Sequence, residues 1–421
     1  MNVVSPATVF TGRGIARPGD LRDIELRLDR PAASDEIVQL HFLRSIAACG
    51  VVCGHLLSRY ARRDGIPEGV SAILDGMGQA RVAAFFAISG FILMHVALRR
   101  RDQRQSAVAF VRNRFLRLAP LYYLTTILMV AFIWATQSFS TQTDRRLPDA
   151  TEWISSFLFL PYRASDGLLQ PVYGLGWTLQ YEMFFCLLFA AALMVGIRRA
   201  AWPLIATIVG LVLIGTQLPE PSGRHGIDIA VYYFTRPILT YFAIGIALAL
   251  LRDRFVRRLP IVPQSIIMLV ALAAMLWSSL DAERLMIGVT AALGITVLTV
   301  QALPKGPLGR GVQAISREAG KASYSTFLTH SFLLGAFASA TASIAVRGPL
   351  WLMAMLTLAC GITTMFGWLV WRLVESPIDR WVRRRSAESH RTGGATVGLP
   401  FPTGPDRSGH RDTIRVRLDI R

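Results

Sequence analysis

Between residues 39 and 371 the chain alternates apolar runs of about twenty residues with short polar segments that carry arginines. A run of that length matches the ~30 Å of hydrocarbon in a bilayer. No water is available there to satisfy backbone amides, so each run must satisfy its own, and a helix is the structure that does so. Ten runs are read as spans: 39–58, 81–98, 119–136, 175–196, 200–217, 231–251, 261–280, 284–302, 323–343 and 349–371. The stretch at 153–161, WISSFLFLP, is too short to cross and reads as an interfacial or re-entrant piece. Composition agrees. Hydrophobic residues make up 52% of the chain and charged ones 17%, against about 25% charged in soluble domains. A soluble enzyme and a disordered protein are both excluded. The expected fold class is all-α, a polytopic helical membrane protein.

The direction of the spans follows from the loops. With the N-terminus inside, the inner loops carry 17 lysines and arginines and the outer loops 10, and the segment from Arg372 onward adds 11 more inside. The positive-inside rule therefore predicts that both termini are cytosolic. The net charge of +18 comes almost wholly from arginine, Lys305 and Lys321 being the only lysines. Because these arginines lie between spans, topology explains them and no nucleic-acid partner is expected. Residues 1–38 are polar; no cleavable leader is expected there, and the segment is expected to form a poorly ordered cytosolic tail or to begin upstream of the true start. Residues 39–381 form the membrane domain, and 386–421, rich in Gly, Pro, Ser and Arg, read as a disordered basic tail. Cys49, Cys53, Cys186 and Cys360 all lie in apolar runs and suggest packing rather than disulfides or a metal site; no metal is expected.

Charged and polar side chains within the spans cost free energy and so require a reason. The first span holds Arg44 and His55. Eleven residues at ~100° each return to within ~20° of one face, and the rise puts the two side chains ~16 Å apart. One stripe thus carries a cation near the inner surface and an imidazole in the outer half. Glu182, in GLGWTLQYEMFF, enters from the other side to a similar depth. It is expected either to orient His55, since a carboxylate fixes an imidazole tautomer, or to pair with Arg236 on the sixth span. His330 is placed in the inner half of the ninth span. Arg112, Arg114 and Arg117 directly precede the third span, where planar guanidiniums would suit a phosphorylated cytosolic ligand. Anionic lipid headgroups are the alternative partner.

Five blocks in order resemble the acyltransferase family 3 of integral membrane proteins. LRSIAACGVVCGH at 43–55 is similar to the family's arginine–ten residues–histidine signature. FFAISGFIL at 85–93 resembles its Ser-Gly-Phe block, giving Ser89. RNRFLRLAPLYYL at 112–124 looks like its Arg-x-Arg block. WTLQYEMFF at 177–185 resembles the block that holds the family glutamate, with Trp177 and Glu182. SYSTFLTH at 323–330 and ESP at 375–377 look like its closing elements. The Tyr-Glu-Met-Phe-Phe form is similar to the subgroup that acylates exopolysaccharide. Two departures stand out: Arg81-Val82-Ala83 where the family often has Gly-Val-Asp, and Thr178 where serine is frequent.

The resemblance implies a multi-pass enzyme of the bacterial cytoplasmic membrane with no bound cofactor. It would transfer an acyl group, acetyl in the first instance, from cytosolic acyl-CoA to a hydroxyl of an extracytoplasmic or lipid-linked carbohydrate. On that reading Arg44, Arg112, Arg114 and Arg117 hold acyl-CoA, and His55 is the general base with Glu182 orienting it. Ser89, Trp177, Arg236 and His330 serve the acceptor or the structure. The rival class is a transporter or flippase for a lipid-linked sugar, which would use intramembrane Arg, His and Glu equally well. Against it, no paired halves with matching broken helices are visible.

Overall fold

The computed structural model describes residues 10–11, 14–15, 38–64, 68–99, 106–137, 147–164, 166–256, 307–341 and 348–382. The long elements are all helices: α1 (Val38–Asp64), α2 (Glu68–Arg99), α3 (Ala107–Gln137), α4 (Ala150–Phe157), α5 (Trp177–Val195), α6 (Ile197–Gly215), α7 (Ile227–Phe234), α8 (Thr240–Val256), α9 (Pro307–Ala340) and α10 (Gly348–Val370). A π-helical turn at Trp371–Glu375 continues α10. The β-structure among the described residues is a two-residue antiparallel pairing of Phe10–Thr11 with Gly14–Ile15 and one bridge between Arg163 and Leu169.

Among the described residues, six helices are able to cross a membrane by length and composition: Leu40–Tyr60, Val82–Arg99, Ala107–Ala135, Gly174–Val195, Ile197–Gly215 and Leu350–Val382. The predicted span at 231–251 is a bent pair, Ile227–Phe234 and Pro237–Arg252, with a 51° angle at the break, and counts as a seventh if it is one span. Arg236 and Pro237 sit at that break, where proline lacks an amide to donate. The predicted span at 323–343 coincides with the last part of α9, up to Ala340, and α9 is too polar to qualify. The reason is its surroundings: Ser323, Ser325, Thr326, Thr329 and His330 are buried among other helices rather than turned to lipid. The predicted spans at 261–280 and 284–302 lie outside the described residues, as do both predicted tails apart from residues 10–11, 14–15 and 38.

Lipid tails are as apolar as leucine, so close packing rather than water exclusion holds such helices together. The α2–α8 pair shows how. A Cβ at Gly90 would overlap the carbonyl of Phe242, and one at Gly245 would overlap the carbonyl of Ala87. The two glycines therefore let the backbones touch at two successive levels. Phe86 and Phe185 stack on the Phe242 ring at 4.6 and 4.2 Å between centroids, each pair adding about 0.5–1.5 kcal/mol beyond its burial. A second cluster joins Tyr122, Phe159, Tyr324 and Leu328, and a third packs Val52 and Leu56 of α1 on Leu334 and Ala359. In the third, the Cys53 and Cys360 sulfurs lie 3.3 Å apart as thiols. Outward faces expose large apolar residues, among them Phe132, Met194, Leu213, Leu350 and Met365.

The segment 147–176 folds back over one end of this bundle. Asp149 caps α4 and forms a reciprocal capping box with Glu152. Arg224 joins Glu152 at 2.7 Å, and Arg163 joins Glu220 at 2.8 Å, so this segment is tied to the α6–α7 connection. Tyr123 donates to the Phe157 carbonyl and Gln180 to that of Leu160. The short apolar stretch is thus an eight-residue helix pinned over the bundle end.

Candidate active site

Two cavities lie between the helices and adjoin each other. The smaller, about 130 Å³, is lined by Arg44 of α1, Ser89 of α2, Arg114 and Arg117 of α3, Glu182 of α5 and Tyr324 of α9, with apolar neighbours. The larger, about 1320 Å³, opens under the 147–176 segment and is lined by His55, Arg59, Phe132, Tyr162, Asp166, Gln170, Trp177, Ser331 and Phe332, among others. Val82, Thr178 and Phe327 line both and form the boundary between them.

The small cavity is an arginine chamber. Ser89 Oγ donates to Glu182 Oε1 at 2.6 Å, and Arg44 Nε donates to Ser323 Oγ at 3.2 Å. Glu375 lies within electrostatic reach of Arg117 and Arg44, and its Oε2 accepts from Ser325 Oγ at 2.7 Å. Its other oxygen, Oε1, is buried with no hydrogen-bond partner among the described residues. The lining itself thus carries three guanidiniums and one carboxylate, with Glu375 and Asp379 within electrostatic reach behind it. A buried charge is stable only when compensated, so the chamber suits an anionic ligand.

The helix geometry explains which arginines arrive there. α3 begins at Ala107 and is already helical through the arginine run. Arg114 and Arg117, three apart, share a face. Arg112 is ~200° from Arg114; its side chain is exposed and does not line the chamber. The predicted set of four is thus three in one cavity and one outside it.

The large cavity holds the imidazole. His55 is exposed to it, three turns along α1 from Arg44. The expected partnership of His55 with Glu182 is not formed, because Glu182 is turned into the arginine chamber toward Ser89. The alternative, Glu182 with Arg236, is not formed either. Arg236 donates to the carbonyls of Gly215 and Tyr232 and stacks on the Tyr232 ring at 3.8 Å. It serves the ends of α6 and α7. A ring neighbour of His55 is His330, whose centroid is 5.1 Å away at 35°. His330 therefore stands level with His55 rather than deeper toward the opposite end, as its position in the sequence had suggested.

Around this cavity the sequence left several contributors unmarked. Tyr162 stacks on His225 at 5.6 Å, and burial pushes its phenol up to about 12, keeping it a donor at neutral pH. Trp177, which the sequence does mark, meets Phe86 edge-on at 6.3 Å and lines the cavity at the start of α5. Aromatic faces, the acids Glu152 and Asp166 and the Gln170 amide give the chamber a mixed apolar and polar lining. Glu375 and Ser325 of the arginine region were legible only as parts of motifs.

The family model described as "Acyltransferase domain" matches residues 37–372. That range takes in every side chain named in the two chambers except Glu375. The "Exopolysaccharide production protein ExoZ" of Rhizobium meliloti (strain 1021) is 27% identical over 336 residues, covering 76% of this chain and 95% of that protein. No solved structure matches.

Proposed function

The chain belongs to the acyltransferase-domain family, and from that premise we propose that it transfers an acyl group, acetyl in the first instance, from acyl-CoA to a hydroxyl of an exopolysaccharide or its lipid-linked precursor. The observation that carries this reading is the pair of cavities meeting at Val82, Thr178 and Phe327, with guanidiniums on one side and an imidazole on the other. The name of the Rhizobium relative supports the acceptor. Orientation follows from the loop charges: the arginine chamber faces the cytosol and the large cavity faces outward.

In this scheme phosphates of the donor sit with Arg44, Arg114 and Arg117. The pantetheine arm passes the boundary residues and presents the thioester to the outer chamber. His55 takes the proton from the acceptor hydroxyl as its oxygen bonds to the thioester carbonyl carbon. The carbon–sulfur bond then breaks, and the departing thiolate takes that proton back from His55. Glu182 and Ser89 hold the arginines in place rather than acting on the acceptor. Aromatic and polar residues of the outer chamber, Trp177 and Gln170 among them, bind the sugar.

The test is donor consumption. Membranes containing the protein, supplied with acyl-CoA and cell-surface polysaccharide, are expected to release free CoA in step with acylation of the polymer. A flippase would neither bind nor consume acyl-CoA, and that result would replace the transferase reading.

A further inference from the structure

On α9 a second imidazole stands beside His55. His330 is fully buried, and its Nδ1 lies 2.6 Å from the carbonyl oxygen of Phe327. A carbonyl only accepts, so Nδ1 carries the ring proton. In a neutral imidazole the other nitrogen, Nε2, is then a bare lone pair. That nitrogen is buried and has no hydrogen-bond partner among the described residues. An open acceptor sealed from water is costly to keep. Two rings stand beside the His330 ring: Phe327, 6.0 Å away between centroids, and His55, 5.1 Å away. Phe327 offers no polar proton; His55 does. The His55 separation fits one nitrogen-to-nitrogen hydrogen bond of ~2.9 Å with a ring on either side.

We propose that His330 is a positioning residue for His55: its bare Nε2 accepts the proton-bearing nitrogen of His55 once the His55 ring turns to meet it. The Phe327 carbonyl sets the tautomer of His330, and His330 in turn sets that of His55. The remaining nitrogen of His55 then faces the outer chamber unprotonated, ready for the acceptor hydroxyl. When His55 becomes an imidazolium, the same hydrogen bond strengthens. A neutral ring thus fills the place that a carboxylate fills in other base–orienter pairs. This inference rests on the reading of His55 as the base.

Two substitutions separate positioning from packing. His330→Asn keeps an amide donor near the Phe327 carbonyl and removes the acceptor facing His55. His330→Gln can return an acceptor to the Nε2 position. Turnover is expected to fall roughly 10–100-fold in His330→Asn, within the range that general-base assistance contributes, with the acceptor KM and acyl-CoA binding unchanged. His330→Gln is expected to recover most of the loss. Nitrogen-15 spectra of histidine-labelled protein, with His55 assigned by difference against His55→Ala, should show a single tautomer in the wild type and a mixture in His330→Asn. Wild-type turnover in His330→Asn would overturn the proposal. Equal loss in both variants with an unaltered His55 tautomer would also overturn it, leaving His330 a packing residue. Transfer by His55→Ala itself is a different failure: it removes the base, whereas an inactive His55→Ala beside a fully active His330→Asn removes only the positioning role.

Discussion

Arg114 and Arg117 face one cavity while Arg112 faces away, and this contrast makes the donor site testable at the level of single side chains. Hydrogen bonds to charged groups are worth about 1.5–3 kcal/mol each, so Arg114→Ala and Arg117→Ala should each weaken acyl-CoA binding by roughly 10–100-fold. Arg112→Ala should leave it unchanged. Lysine at 114 or 117 should restore only part of the loss, because the planar fork is gone. Affinity on detergent-solubilised protein is the measurement. An equal loss in Arg112→Ala would return the whole run to lipid headgroups and topology. The sequence exposes these arginines as a cluster but reads them as the flank of a span. Only the continuation of α3 back to Ala107 imposes the helical period that separates them. Glu182 illustrates the same limit. Its height along α5 is readable by counting residues, but which neighbour it meets depends on the rotation of α5 against α2. That rotation turns it to Ser89 and away from His55.

At the scale of elements, the Ser-Gly-Phe block is visible in the sequence as a motif, yet its physical demand appears only where α2 meets α8. Gly245→Ala inserts a methyl group against the Ala87 carbonyl and must part the two helices. Overpacking of this kind costs about 1–3 kcal/mol, so folded yield and thermal stability in detergent should fall. Gly361→Ala on α10 meets nothing within 4 Å and removes a poor helix former, so it should be neutral or stabilising by up to about 1 kcal/mol. If the two variants unfold together with the wild type, the α2–α8 contact is looser than described. The apolar runs of α2, α3, α5, α6 and α10 are legible by length and hydropathy. α9 is legible as a helix but not as a central one, because its buried serines, threonines and His330 lower its hydropathy while helices, not lipid, surround it.

Across the whole molecule, the chambers acquire a direction only from the membrane. The loop charges predict cytosolic termini, so reporter fusions at positions 140 and 222 should read as extracytoplasmic and one at 390 as cytosolic. A cytosolic signal at 140 would invert the molecule and place the large cavity on the donor side. Given that direction, the proposed function divides the work between the two chambers: the donor would be held at Arg44, Arg114 and Arg117, which line one, and the chemistry would occur at His55, which lines the other. The most direct test of this division measures acyl-CoA binding and polysaccharide acylation side by side in His55→Ala at wild-type expression. Binding within about twofold of the wild type, with acylation reduced by at least the roughly 100-fold that a general base contributes, is the predicted result. Substantial acylation by His55→Ala, or loss of acyl-CoA binding together with acylation, would contradict it.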